Sequence, residues 1–201
     1  MTMLRIYVFL VGFLLPYLDC QAVIEHEPIF DPHVAAVVEG ALDQLGKTVR
    51  YDPGYLKLSY PGGDIPIDRG VCTDVVIRAF RNAGVDLQVL VHEDISRVFS
   101  LYPHKWGLKK ADYNIDHRRV PNLRTLFQRM NKSLGLNSKD FRPGDLLTWN
   151  LPGNQPHIGV VTNLRVSPSG PFLIAHNIGA GARLEDMMTH FELTGHYRYF
   201  P

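Results

Sequence analysis

Cys72 is the most chemically informative residue of this 201-residue chain, because the only other cysteine, Cys20, sits in the apolar N-terminal stretch. An isolated thiol in the body of a protein is either a small buried hydrophobe or a nucleophile. Cys72 falls in the first turn of an expected helix, three and four residues before Val75 and Val76, so it faces the protein body. At that position unpaired N–H groups and the positive end of the helix dipole favour the thiolate over an ordinary thiol with a pKa near ~8.5. Asp74 points elsewhere and reads as a capping or dipole residue.

A cysteine nucleophile needs a base and a group that orients the base. Two of the nine histidines stand in suitable contexts. His157 opens the strand pattern His157-Ile158-Gly159-Val160-Val161, in which His157, Gly159 and Val161 share a face and Gly159 leaves space beside the imidazole. His176 ends the next apolar run, so a hairpin can set the two rings side by side. A second cluster, Asp116-His117-Arg118-Arg119, lies in a stretch with little periodicity. It reads as a solvated loop, a structural ion pair, or a recognition site whose arginine forks bind carboxylates. Neither C-x-x-C nor H-x-x-x-H accompanies Cys72, His157 and His176, so no metal or other cofactor is expected.

The elements that must position these residues are readable in outline. Asp31-Pro32 starts a helix with Val34, Val38, Leu42 and Leu45 on one face, ending at Gly46. Tyr51 to Pro66 is loop-like and delivers the chain to the Cys72 helix, which stops at Asn82-Ala83-Gly84. A third helix spans Asp86 to Phe99, and Asn122 is placed to cap a fourth carrying Leu123, Leu126, Phe127 and Met130. From Gly144 the period shortens, with β-rich runs at Gly144–Trp149, His157–Thr162, Pro171–His176 and Gly195–Phe200. Turn signals at Pro152-Gly153-Asn154 and Ser167-Pro168-Ser169-Gly170 suit antiparallel hairpins, so the pattern predicts one α+β domain with N-terminal helices on a small antiparallel sheet.

Composition bounds the function. With 21 Lys+Arg against 20 Asp+Glu there is no excess charge to grip a polyanion, so no nucleic-acid partner is expected. Arg5 precedes the apolar run Ile6–Leu18, which is too short as a helix to cross a hydrocarbon core of roughly 30 Å. Residues 1–22 therefore read as a signal peptide cleaved after Ala22, giving a mature domain of residues 23–201 in the periplasm or outside the cell. Lipidation of Cys20 ranks second because Asp19 precedes it, and no other membrane contact is expected. Cleavage would remove Cys20 and with it any internal disulfide.

The sequence also carries a resemblance. Cys72 at a helix start, then Gly144-Asp145-Leu146-Leu147-Thr148-Trp149, His157-Ile158-Gly159-Val160-Val161 and Leu173-Ile174-Ala175-His176-Asn177, resembles the NlpC-type cell-wall cysteine peptidases, a branch of the papain-like fold. The resemblance implies Cys72 as nucleophile, His157 as base, and His176 as the orienting residue, with Asn177 in that place if the register slips by one. It further implies a cysteine hydrolase acting on peptide or amide bonds, with peptidoglycan stem peptides or a related peptide as partner, for which Asp116, His117, Arg118 and Arg119 are the candidate binding cluster, its arginines reading carboxylates. An acyltransferase on the same triad and a wall-binding module without turnover are the alternatives.

Two departures stand out: Val-Cys-Thr-Asp replaces the usual Asp-Cys-Ser-Gly, and a longer segment separates Cys72 from Gly144, expected to wall the cleft. The strings Asp68–Asp74 and Asn114–Asn122 resemble an exported bacterial family of unknown function, the YijF-like proteins, over most of the mature chain.

Overall fold

Residues 25–136 and 140–201 are described in a computed structural model, and the expected signal segment lies outside them. Helix α1 (Pro32–Leu42) begins where expected: the Asp31 carboxylate accepts the N–H groups of His33 and Val34, and Pro32 supplies a preset φ in the first turn. Helix α2 (Cys72–Asn82) is buried from Cys72 through Phe80. Helix α3 (Leu87–Val98) is capped by Asp86, which accepts the Gln88 N–H at 3.0 Å. Helix α4 (Val120–Arg129) starts earlier than the Asn122 cap predicted. Arg119 is its N-cap and Pro121 occupies the first turn, while the Asn122 side chain turns back to donate to the Asp116 carbonyl at 3.0 Å.

The helices pack on an antiparallel sheet in the order β7-β6-β5-β4-β8, formed by β4 (Leu146–Leu151), β5 (Gln155–Arg165), β6 (Phe172–His176), β7 (Arg183–Glu185) and β8 (Glu192–Tyr197). Strand β1 (Glu25–His26) adds to the far end of β5, and β2 (Arg50–Tyr51) pairs in parallel with β3 (Arg69–Gly70) as a separate patch. The last strand begins at Glu192 rather than Gly195, and β7 has no counterpart in the predicted elements.

Strand alternation sorts the sheet's side chains between two cores. Leu146, Ile158, Val160 and Ala175 meet Val76, Phe80, Leu123 and Phe127 from the helices. On the other face Leu147, Trp149, Val161 and Ile174 close over Phe172 and Met187. Each fully buried Phe or Leu contributes roughly 1.5–3 kcal/mol relative to exposure, which makes α2, wedged between sheet and α1, a rigid base for its first residue. The architecture is α+β, helices first and antiparallel sheet second.

Candidate active site

Cys72 is the first residue of α2, after an extended Val71 whose side chain can accept no hydrogen bond. The turn is closed from the other direction: Asp74 Oδ2 accepts the Val71 N–H at 2.7 Å. Asp74 thus has the capping role read for it.

The thiol is buried, at 4% exposure. Burial pushes it up; the N–H groups of Ile158, Thr73 and Cys72 itself pull down, the Asp74 carboxylate pushes up, and the balance stands at about 12. The expectation of a resting thiolate is therefore corrected, because loss of water outweighs the helix-start amides. Cys72 rests as a thiol, and any reaction of its sulfur as a nucleophile needs a base to take the proton.

The Ile158 amide reaches the sulfur because of the ladder. Val161 spends its N–H on the Asp145 carbonyl and its C=O on the Gly144 N–H, so odd-numbered residues of β5 point their backbone groups toward β4 and even-numbered ones toward β6. Val160 pairs with Ala175, and β6 stops one residue later at His176, before it can serve Ile158. The N–H left over meets Cys72, which places the sulfur beside the residue that follows His157.

His157 and His176 are joined directly: His157 Nε2 lies 3.1 Å from His176 Nδ1, with the rings edge-on at 85°. Burial lowers His157 to about 3 and the neighbouring His176 adds to the effect, so the ring is neutral at physiological pH. Burial lowers His176 as well, against the opposing pull of Glu185. With Nε2 engaged, Nδ1 is the ring nitrogen of His157 that remains uncommitted. Gly159 lies tight against β6, where a Cβ would stand 2.5 Å from Ile174 Cγ2 and 3.2 Å from His176 Cβ, so the space it leaves is on the His176 side. Asn177 is employed elsewhere: its Nδ2 donates to the Gly70 carbonyl at 2.9 Å and its Oδ1 accepts the Gly179 N–H, tying β3 to the end of β6.

In front of Cys72 opens a cleft of about 190 Å³, with Tyr51, Trp106, Arg119, Pro121 and Pro156 on its walls. The polar cluster expected there is largely structural. Arg118 is buried and fully committed: Nε donates to Asp74 Oδ1 at 3.0 Å, Nη1 to the Gly54 carbonyl at 2.7 Å, and Nη2 to the Asp52 carbonyl at 2.8 Å. His117 is buried, and desolvation with the Arg81 and Arg118 charges lowers it to about 3. Asp116, also buried, is raised by desolvation to about 6. Of the readings open to the cluster, the structural ion pair describes Arg118, burial withdraws Asp116 and His117, and Arg119 is left at the cleft wall. Arg119 stacks 3.9 Å over Trp106 at the cleft wall, and its buried Nη1 has no hydrogen-bond partner.

Sequence reasoning missed Tyr51. Tyr51 is 41% exposed at the cleft, and partial desolvation together with the nearby Asp74 carboxylate raises its phenol to about 12, so it stays a neutral donor beside Cys72. Only the long-range pairing of Tyr51 with Gly70 brings it there, and no local pattern announces that pairing. Among the described residues no three His, Cys, Asp or Glu side chains converge into a metal-sized group.

The chain is similar to the uncharacterized protein YijF of Escherichia coli (strain K12), 52% identical over 167 residues that cover 82% of this chain and 81% of that protein. Among solved structures it is similar to NlpC1 from Trichomonas vaginalis, at 16% identity and a TM-score of 0.40 over 81% of this chain. It spans only 44% of that protein, and a likeness this loose carries no argument about chemistry. Residues 38–199, which contain Cys72, both paired histidines and the cleft walls, match a domain of unknown function, DUF1287, and the chain belongs to that family.

Proposed function

We propose that this chain is an exported cysteine hydrolase on a papain-like, NlpC-type frame, cleaving peptide or amide bonds of peptidoglycan stem peptides. The observation that carries the reading is the His157 Nε2 to His176 Nδ1 hydrogen bond on the strand whose next amide meets the Cys72 sulfur. Both partners rest neutral, so the thiol proton passes to His157 Nδ1 as the sulfur attacks the carbonyl carbon. The C–N bond then breaks and His157 returns the proton to the leaving amine. Water, deprotonated by the same nitrogen, next attacks the thioester, and the thiol is restored. The Cys72 N–H and the Tyr51 hydroxyl, which lines the cleft, supply donors for the developing oxyanion.

Substrate class rests on the cleft and on export. The N-terminal segment reads as a signal, and Arg119 places a guanidinium on the cleft wall beside Trp106. Stem peptides present carboxylates beside their amides, which suits a planar guanidinium.

Sacculi and defined muropeptides digested with residues 23–201, as wild type and as Cys72→Ala, and read by mass spectrometry, decide the matter. New termini with wild type alone support the hydrolase and identify the bond. Sacculus binding without released fragments points to a wall-binding module, and adducts formed with added amines point to an acyltransferase.

A further inference from the structure

We infer that Glu185 is a positioning residue that sets the proton order of the histidine pair, an inference that rests on the cysteine-hydrolase reading above. Glu185 ends β7, where Ile174 pairs with Glu185 and His176 with Arg183, so it lies diagonally across from His176 on the same face. Its Oε2 stands 3.1 Å from His176 Nε2. The imidazole is fully buried, while the Glu185 side chain is 45% exposed. Nε2 has no other partner, and the carboxylate sits off the line of the ring N–H. A small rotation of the half-exposed carboxylate completes the bond, as catalytic hydrogen bonds often tighten only when the site is occupied.

The argument is one of donors and acceptors. Two neutral imidazoles can share the bond between His157 Nε2 and His176 Nδ1 in either direction. If His176 holds its proton on Nδ1, His157 accepts at Nε2 and carries its own proton on Nδ1, where it cannot take another from a thiol. A carboxylate only accepts. Glu185 therefore draws the His176 proton to Nε2, leaves Nδ1 bare, and makes His157 donate from Nε2. Nδ1 of His157 is then a free lone pair for Cys72. One carboxylate, two rings away, selects the competent arrangement from two that the His–His bond alone leaves equivalent.

Glu185 also supplies charge. Burial lowers His176 and Glu185 raises it, so the carboxylate stabilises the pair when it takes up the thiol proton. The other charged or titratable groups that meet the pair are the exposed Arg183 of β7, which pairs with His176, and the two imidazoles themselves on β5 and β6. Glu185 is the one within 3.1 Å of Nε2.

The test measures Cys72 alkylation by iodoacetamide from acid through neutral pH in wild type, His157→Ala, Glu185→Ala and Glu185→Asp. Ring protons are assigned by 15N NMR of the same full-length mature proteins. Glu185→Ala is expected to slow alkylation about 10-fold, the lower end for removing a carboxylate that orients an imidazole. It should also move the acid limb to lower pH and give mixed tautomers at His176, with Glu185→Asp recovering most of the rate. If His157→Ala is slow but Glu185→Ala matches wild type, the inference about Glu185 is overturned and the triad stands. If His157→Ala also matches wild type, both fall. A wild-type spectrum with the His176 proton on Nδ1 overturns the inference whatever the rates.

Discussion

Arg118 Nε donates to Asp74 Oδ1 at 3.0 Å, joining the turn before α4 to the first turn of the helix that carries Cys72. Both side chains are buried, and Asp74 also holds the Val71 N–H, so the guanidinium steadies the backbone on which the nucleophile stands. Removing one partner of such a pair strands the other charge. Arg118→Ala should therefore lose about 3–5 kcal/mol of unfolding free energy. Arg119→Ala, which gives up a cation–π contact at the surface, should lose under about 1 kcal/mol. Urea titrations of the two variants give the comparison, and equal midpoints would remove the structural role assigned to Arg118.

Arg119 should show the opposite profile in kinetics. In the proposed reaction Arg119 holds a substrate carboxylate equally in ground and transition states, so Arg119→Ala should raise KM and leave kcat nearly unchanged. Loss of one charged hydrogen bond is worth about 1.5–3 kcal/mol, roughly 10–150-fold in kcat/KM. Muropeptides with free and amidated carboxylates supply the control. Equal rates on both with wild type would sink the recognition role.

Stability should rise with pH across the mildly acidic range. His157 and His117 are each lowered to about 3, burial being the main cause, against an ordinary value near ~6.5. Between those values the unfolded chain takes protons that the folded chain refuses, so each histidine adds up to about 1.4 kcal/mol of stability per pH unit, fully present above ~6.5. Asp116 opposes them: raised to about 6, it favours the fold at low pH and gives that up as pH rises from ~3.9 through 6. Two histidines outweigh one aspartate, and His176, also lowered, acts in their direction. Urea midpoints should climb from about pH 4 to about pH 6.5, and His117→Gln should flatten the climb. A level profile in wild type contradicts the assignment.

What was legible in the sequence was whatever one element carries by itself. The helix start at Cys72, the face shared by His157 and Gly159, and the hairpin that returns His176 all follow from local period and turn chemistry. What was not legible depends on distant partners. Arg118 looked like an open fork because its acceptors, Asp52, Gly54 and Asp74, come from segments far along the chain. Glu185 belongs to a strand of three residues, too short to display a period. The thiol was misjudged for a related reason: the helix-end amides are local, but the desolvation that overrides them comes from the sheet packed against α2.

Gly159 offers the sharpest separation of chemistry from binding. A Cβ at this position would stand 2.5 Å from Ile174 Cγ2, 3.2 Å from the Ala175 carbonyl oxygen and 3.2 Å from His176 Cβ. The Ile174 side chain can turn aside, but the carbonyl is part of the β5–β6 ladder, so relief must come from moving β6. Overpacking of this kind costs about 1–3 kcal/mol, which leaves a folded protein if wild-type stability is typical. The histidine pair has less slack, because its 3.1 Å separation stretches as soon as β6 shifts outward. Tyr51, Trp106 and Arg119 come from other segments and keep their places in the cleft. Gly159→Ala should accordingly lower kcat with KM near wild type, the reverse of Arg119→Ala, and 15N NMR should show the bond between His157 and His176 lost. A variant that unfolds normally, retains wild-type kcat and keeps that bond would mean the close approach at Gly159 is not what seats the pair.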